Sequence, residues 1–273
     1  MRALVLVLAL SSLTESASIA APLPAWTEPV TGMRFVLVPA GSFTMGSPPA
    51  EPGREAQETP HHVTLSRPFW LGRTEVTQGE WQRVMGSNPS KFSDGGAQAP
   101  VEQVSFQDVQ RFLVRLGALA PGSRFRLPTE AEWEYACRAG STTSYSTGAL
   151  LTTDEGNYDG RYPLPGQPKG VNRDRTTPVA SFAPNAWGLF DLHGNVWEWT
   201  ADEHCPYPAG PVTDPIGRCG AELEVIRGGS FYFDAASARC ALRYTHRPQD
   251  RGPSLGFRVV REPAAASAEK EGQ

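Results

Sequence analysis

The residues best placed by type and spacing to do chemistry lie in Gly188-Leu-Phe-Asp-Leu-His-Gly-Asn-Val-Trp-Glu-Trp199. This stretch packs two glycine-bounded turns, two tryptophans and the Asp191/Glu198 carboxylates into twelve residues. Carboxylates set among tryptophans predict a buried, ion-tied segment, because a buried charge is stable only when paired or bound to an ion. Arg227-Gly-Gly-Ser230 and Leu255-Gly-Phe-Arg258 answer it further along the chain. The five histidines, His61, His62, His193, His204 and His246, form no HxxxH or similar helical pair, so no histidine metal centre is predicted. His61-His62 reads as a solvated strand entry and His193 as an ordered turn residue.

The four cysteines show no CxxC pattern, which favours two disulfides over a zinc site. Four cysteines allow three pairings, and spacing alone does not select one. Cys205 and Cys219 bracket a Pro/Gly-rich loop and are natural partners; Cys137 and Cys240 would then close a long loop.

A formal charge of -4 and the lack of a basic run argue against nucleic acid or an anionic membrane surface as partner. With 27 Gly, 25 Pro and seven Trp, the chain reads as loop-rich and aromatic-cored. Met1-Arg2, the apolar run Ala3 to Leu10 and Ser18-Ile19-Ala20 have the form of a signal peptide over residues 1–20. The run is too short to span a bilayer and no cysteine follows it, so no integral membrane segment and no lipid anchor are expected. A secreted or periplasmic monomer is the expectation.

The elements that must position these residues are read from periodicity and caps. Strands are predicted around Arg34 to Val38, Ser42 to Gly46, His62 to Leu65, Phe69 to Leu71, Glu224 to Arg227, Cys240 to Tyr244 and Gly256 to Val260. Thr77/Glu80 and Thr129/Glu132 have capping-box spacing, so helices are predicted over Trp81 to Met85 and from Thr129 to a stop at Gly140. A third helix is predicted from Ser105 to Leu116, with Phe106, Val109, Phe112, Leu113 and Leu116 on one face. Ser141 to Thr177 reads as a long irregular loop, of the kind that is functional or pinned by ions. One domain over residues 26–262 and a disordered tail over 263–273 complete the reading.

In order, Pro39-Ala-Gly-Ser-Phe-Thr-Met-Gly46, Glu75-Val-Thr77, Pro100-Val101 with Val104-Ser105, Arg126-Leu-Pro-Thr-Glu-Ala-Glu-Trp-Glu-Tyr-Ala-Cys137, the Gly188 to Trp199 stretch, Arg227-Gly-Gly-Ser230 and Leu255-Gly-Phe-Arg258 resemble the formylglycine-generating enzyme, or sulfatase-modifying factor, family. The resemblance implies a single α+β domain, a variant of the C-type-lectin-like fold that is low in regular secondary structure and binds calcium. It implies a Cys137–Cys240 disulfide. It also implies one calcium site made of Asp191, the carbonyls of Gly194 and Val196, and Glu198. A second site would begin with Asn157 and the Tyr158 carbonyl. Hard oxygen donors from one tight turn suit that ion.

The same family forms formylglycine with two cysteines just after Gly-Gly-Ser, which bind copper(I). Here that segment is Phe231-Tyr-Phe-Asp-Ala-Ala-Ser-Ala-Arg239, which has no cysteine; counted from Gly-Gly-Ser, Phe233 and Ala238 stand at the two positions. Soft thiolates are the ligands copper(I) needs, so the sulfatase-activating oxidase chemistry is not expected. Any other redox metal is left open. The resemblance places Trp197, Ser230, Tyr232, Asp234 and Arg243 at the family cleft, where a Tyr/Asp/Arg pocket would bind or tautomerise an oxidisable aromatic substrate by acid-base chemistry. Two functions follow as expectations. The first is an exported maturation or accessory enzyme, similar to the cysteine-lacking family members of siderophore chromophore maturation or those beside nitrite reductase, acting on a small molecule or an exported protein or peptide. The second is a non-catalytic lectin-like binding module using the 141–177 and 205–219 loops.

Overall fold

The computed structural model describes residues 22–262, so the expected signal peptide and the expected tail lie outside the described residues. In chain order its strands and helices are β1 (Ala25–Thr27), β2 (Arg34–Val38), β3 (Gly41–Met45), β4 (His61–Leu65), β5 (Phe69–Gly72), α1 (Gln78–Met85), α2 (Phe106–Leu119), β6 (Phe125–Arg126), α3 (Glu130–Arg138), β7 (Trp197–Glu203), β8 (Val212–Thr213), β9 (Glu224–Arg227), β10 (Tyr244–His246), β11 (Leu255–Phe257) and β12 (Val260–Arg261). They form three small sheets with orders β1-β2-β5-β12-β6, β10-β9-β7-β11 and β3-β4-β8. No strand or helix lies between Arg138 and Trp197, as the expected irregular loop requires.

All three helices begin with a capping box, Thr77/Glu80, Ser105/Asp108 and Thr129/Glu132, each with both reciprocal bonds formed. The side chain at the cap satisfies an otherwise orphaned backbone N–H, so these starts are written locally in the chain. α1 stops at Gly86 in the left-handed region; α3 stops one residue before the predicted Gly140, at Ala139. α2 buries Val109, Phe112, Leu113 and Leu116 while Phe106 is half-buried, close to the predicted face.

Two strand expectations are corrected. The stretch beginning at Cys240 is a turn, in which the Cys240 N–H donates to Ser144 O (2.9 Å) and the Leu242 N–H to Arg239 O (3.2 Å); pairing starts only at Tyr244. The Gly256 to Val260 strand is two strands in two sheets, because β11 runs parallel to β7 whereas β12 pairs with β5 and β6. Between them the buried Arg258 turns inward.

The core has two main apolar groups. One gathers Trp81, Phe112, Trp197, Trp199 and Phe257; the other gathers α3 with Phe69, Leu71, Leu189 and the Cys137/Cys240 pair. Every residue of α3 is buried, charged ones included. Its charges are paired: Arg227 donates to Glu134 (2.5 Å), Arg138 to the same carboxylate (2.8 Å) and Arg243 to Glu130 (2.6 Å). Both expected disulfides are formed, Cys137–Cys240 and Cys205–Cys219.

Candidate functional site

The Gly188–Trp199 stretch is a folded-back turn followed by β7. Asp191, Gly194 and Asn195 all have positive φ, at 56°, 97° and 66°. Gly194 has no substitute there, since a Cβ would collide with the Asn157 carbonyl. Its N–H donates to Gly228 O (2.7 Å), and the Asn195 N–H donates to Asn157 O (2.7 Å). The structure thus sets Asn157, the start of one expected ligand set, against the turn that carries the other. The long loop is pinned there by Asn195 Oδ1, which accepts from Asn157 Nδ2 (3.1 Å) and from the Thr177 N–H (2.9 Å).

Three buried carboxylates meet at this turn. Glu198 accepts from Arg258 on both oxygens (2.6 Å each) and from Trp133 Nε1 (2.7 Å). Asp191 Oδ2 accepts the Ala180 N–H (2.7 Å), while its buried Oδ1 has no partner. Glu75 accepts from Asn195 Nδ2 (2.9 Å) and the Val196 N–H (3.1 Å). Burial, then the Asp191 and Glu198 charges, raise the Glu75 carboxyl well above the usual range. Burial, with Glu198 adding, pushes Asp191 up to about 6. Burial works against the charged form of Arg258, and the Glu198 carboxylate more than offsets it. Reading the sequence assigned no role to Glu75 beyond its place in the Glu75-Val-Thr77 motif.

Two oxygens at this turn are orphaned, the kind of group that a hard cation takes. Asp191 Oδ1 and Asn157 Oδ1 are both buried without a hydrogen-bond donor. Each is the first residue of an expected ligand set. Glu198 already has donors on both oxygens, which leaves one lone pair on at least one of them.

The expected cleft residues are not gathered into one pocket. Trp197 is buried and stacks on Tyr244 (5.3 Å, 21°), with Phe233 edge-on (5.3 Å). Tyr232, 67% exposed, meets both Phe231 and Phe233 edge-on. Together these rings form an aromatic step where the resemblance places thiols. The buried Ser230 accepts the Tyr232 N–H at its Oγ (3.4 Å). Asp234 is spent capping the 3-10 turn Ala235–Ala238, accepting from the Ser237 N–H (2.9 Å) and Oγ (2.6 Å). Arg243 leaves this group altogether: it is buried against Glu130 and donates to Cys205 O (3.0 Å). A Tyr/Asp/Arg pocket is therefore corrected to an aromatic step with its charges used elsewhere.

Arg243 instead lines a cavity of about 370 Å³ beneath the Cys205–Cys219 loop, with Glu130, Asp202, His61 and Tyr207. His61 is buried and packs on Tyr207 (4.6 Å), so only His62 is the solvated strand entry expected of the pair. His193 is a turn residue held neutral: burial lowers it to about 4, and its Nδ1 is bonded to Ala238 O (2.9 Å). Burial, then the Glu130 charge, push Asp202 up to about 7. The folded chain thus holds that proton more tightly than the unfolded chain, whose Asp titrates near 3.9, and stability falls as pH rises from about 4 to about 7. Asp202→Asn is expected to flatten that slope by Asp202's share, leaving the shares of Glu75 and Asp191, at some cost in hydrogen bonding; urea melts of both proteins across this range check it, and an unchanged slope would assign it to the other raised carboxylates.

A family model for the sulfatase-modifying factor enzyme 1-like domain matches residues 23–263. The formylglycine-generating enzyme of Streptomyces coelicolor is 33% identical over 205 residues, covering 71% of this chain and 61% of the relative. That of Mus musculus is 31% identical over 209 residues, 73% of this chain and 53% of the relative. The chain thus spans a little over half the length of these curated relatives. The solved structure of PvdO from Pseudomonas aeruginosa superposes with a TM-score of 0.73 at 30% identity, covering 89% of this chain and 99% of that one. By the match over nearly all of its described length, this chain belongs to the family of the sulfatase-modifying factor enzyme 1-like domain, as a single α+β domain low in helix.

Proposed function

We propose that this protein is an exported maturation or oxidation accessory factor of the sulfatase-modifying factor family that does not generate formylglycine. The observation that carries the reading is the segment after Gly-Gly-Ser. Phe231, Tyr232 and Phe233 stand there in a packed aromatic step, and all four cysteines are in disulfides. Without a free thiol in this segment, the copper(I) that the family uses would have no thiolate ligands to hold it. The N-terminal signal pattern and the two disulfides support export.

The step supplies binding area in place of a thiol. Tyr232 and Tyr244 are exposed, and both connect through Phe233 to the buried Trp197. A planar small molecule or an aromatic side chain of an exported peptide would stack there, worth about 0.5–1.5 kcal/mol per ring pair beyond the area buried. The Trp197 Nε1 is buried beneath these rings and has no acceptor among the described residues.

Calcium is proposed as the structural ion. Asp191, the carbonyls of Gly194 and Val196, and Glu198 would hold one ion, and Asn157 with the Tyr158 carbonyl would begin a second site. When bound, calcium supplies positive charge to a turn whose carboxylates outnumber its arginine. Asp191 and Asn157 orient their free oxygens for it, and Ala180 and Asn195 hold those side chains in place.

The test has two parts. Elemental analysis of protein purified without chelator is expected to find calcium at about one or two per chain. A cysteine-bearing sulfatase peptide, incubated with the protein, copper(I) and oxygen, is expected to stay unconverted by mass spectrometry. Formylglycine in that peptide would overturn the reading. The exposure of Tyr232 and Tyr244 also favours a second reading, a non-catalytic binding module, in which ligand is retained and never changes mass.

A further inference from the structure

A cleft of about 340 Å³ lies apart from the aromatic step and collects three arginines, Arg34, Arg73 and Arg83. Its lining carries one carboxylate, Glu80, which is occupied at the start of α1, where it accepts the Thr77 N–H (2.8 Å). Three guanidinium groups facing one carboxylate leave the cleft with net positive charge. Burial also raises the Glu80 carboxyl from its ordinary value, which weakens its service as a counter-charge.

The guanidinium donors are mostly unspent. Arg73 donates its Nε–H to Gly188 O (3.2 Å) and sets its Cζ over the Phe190 ring, 5.0 Å from the centroid. Arg83 uses Nη1 on Thr31 O. The Arg34 guanidinium has no hydrogen-bond or ion-pair partner among the described residues. Another part of the wall is the backbone at Ala180, held by its N–H on Asp191. Two bonded guanidinium groups and a third free one, lining one cavity with Phe190, make a fork for carboxylate or phosphate oxygens.

We propose that this cleft binds a small oxyanion-bearing molecule, a dicarboxylate or a phosphate ester, by bidentate contacts from Arg34, Arg73 and Arg83. An anion there relieves the mutual repulsion of the arginines, and the cavity admits a compact ligand rather than a polymer. The site stands on charge and shape at this cleft alone, so it holds whether or not the aromatic step acts on a substrate.

Calorimetric titration of the full chain at low salt tests it, with succinate in one arm and glycerol phosphate in the other. Saturable one-to-one binding in either arm is expected, and the tighter arm identifies the ligand class. Arg34→Glu is expected to weaken that binding by at least about tenfold, as loss of a charge-assisted bidentate contact would. Arg34 is exposed and unpartnered, so this variant keeps its fold, which thermal melting verifies; Arg247→Glu, on an exposed turn elsewhere, serves as the charge control. No saturable binding in either arm overturns the proposal, as does an equal loss in the Arg34 and Arg247 variants.

Discussion

Replacing both Cys137 and Cys240 by serine is expected to cost about 4.7 kcal/mol of folding stability, the value the chain-entropy model assigns to a loop near one hundred residues. The two positions are 103 residues apart in sequence, and both side chains are fully buried. That bond joins α3, the helix whose every residue is buried, to the turn that follows the Gly-Gly-Ser segment. The Cys205–Cys219 bond closes only 14 residues on a partly exposed loop, and the same model gives it about 3 kcal/mol. Serine also places hydroxyls among Leu192 and Trp133, so the measured gap between the two pairs should exceed the entropic one. Denaturant melts of the two double variants decide it: an equal or greater loss for the Cys205/Cys219 pair would contradict the assigned order. Thiol labelling of the native protein without reductant is expected to find no reactive cysteine.

How much of this was legible depends on how local each signal is. The helix starts were, because a capping box needs only residues three apart, as Thr129 and Glu132 show. β7 was not read as a strand. Trp197 to Thr200 are all buried, so the alternation that marks a strand with one wet face is missing. The break between β11 and β12 was hidden for a related reason: the apolar pattern runs on through Gly256 to Val260, and only the tertiary partner of Arg258 shows where the chain changes sheet. At the site, Asp191, Glu198 and Asn157 were singled out through motif resemblance, and Asn157 packs on the Gly194–Asn195 turn that follows Asp191. Glu75 reaches Asn195 across 120 residues, and Arg243 reaches Glu130 across 113, so neither contact has any sequence period to betray it. The family resemblance placed Arg243 in the aromatic cleft; beyond the turn at 240–242 it binds Glu130 and Cys205 O instead.

Arg258→Met is expected to be among the most damaging single changes in the protein. Arg258 is fully buried, donates to both oxygens of Glu198, and also holds Gly72 O (3.1 Å) and Phe190 O (3.0 Å). It is the cation whose charge bears on both Glu75 and Asp191. Methionine fills much of the space but leaves the Glu198 carboxylate buried without its cation, with Glu75 and Asp191 near enough for their charges to add. Breaking one buried pair costs about 3–5 kcal/mol, a large share of the roughly 5–15 kcal/mol that holds a domain together. Glu198→Gln in the Arg258→Met background should recover part of the loss, since it removes one of the stranded charges, and the double-mutant cycle isolates that coupling. Calcium separates the two sources of positive charge at the turn. If the turn binds the ion as proposed, added calcium raises the melting temperature of Arg258→Met by mass action and chelator lowers that of the parent protein. Melting curves of both proteins with calcium and with chelator read this directly. A variant that melts with its parent would show that Arg258 does not hold the cluster together. A variant that melts far below its parent and ignores calcium would leave Arg258 as the clamp and remove the ion from the turn.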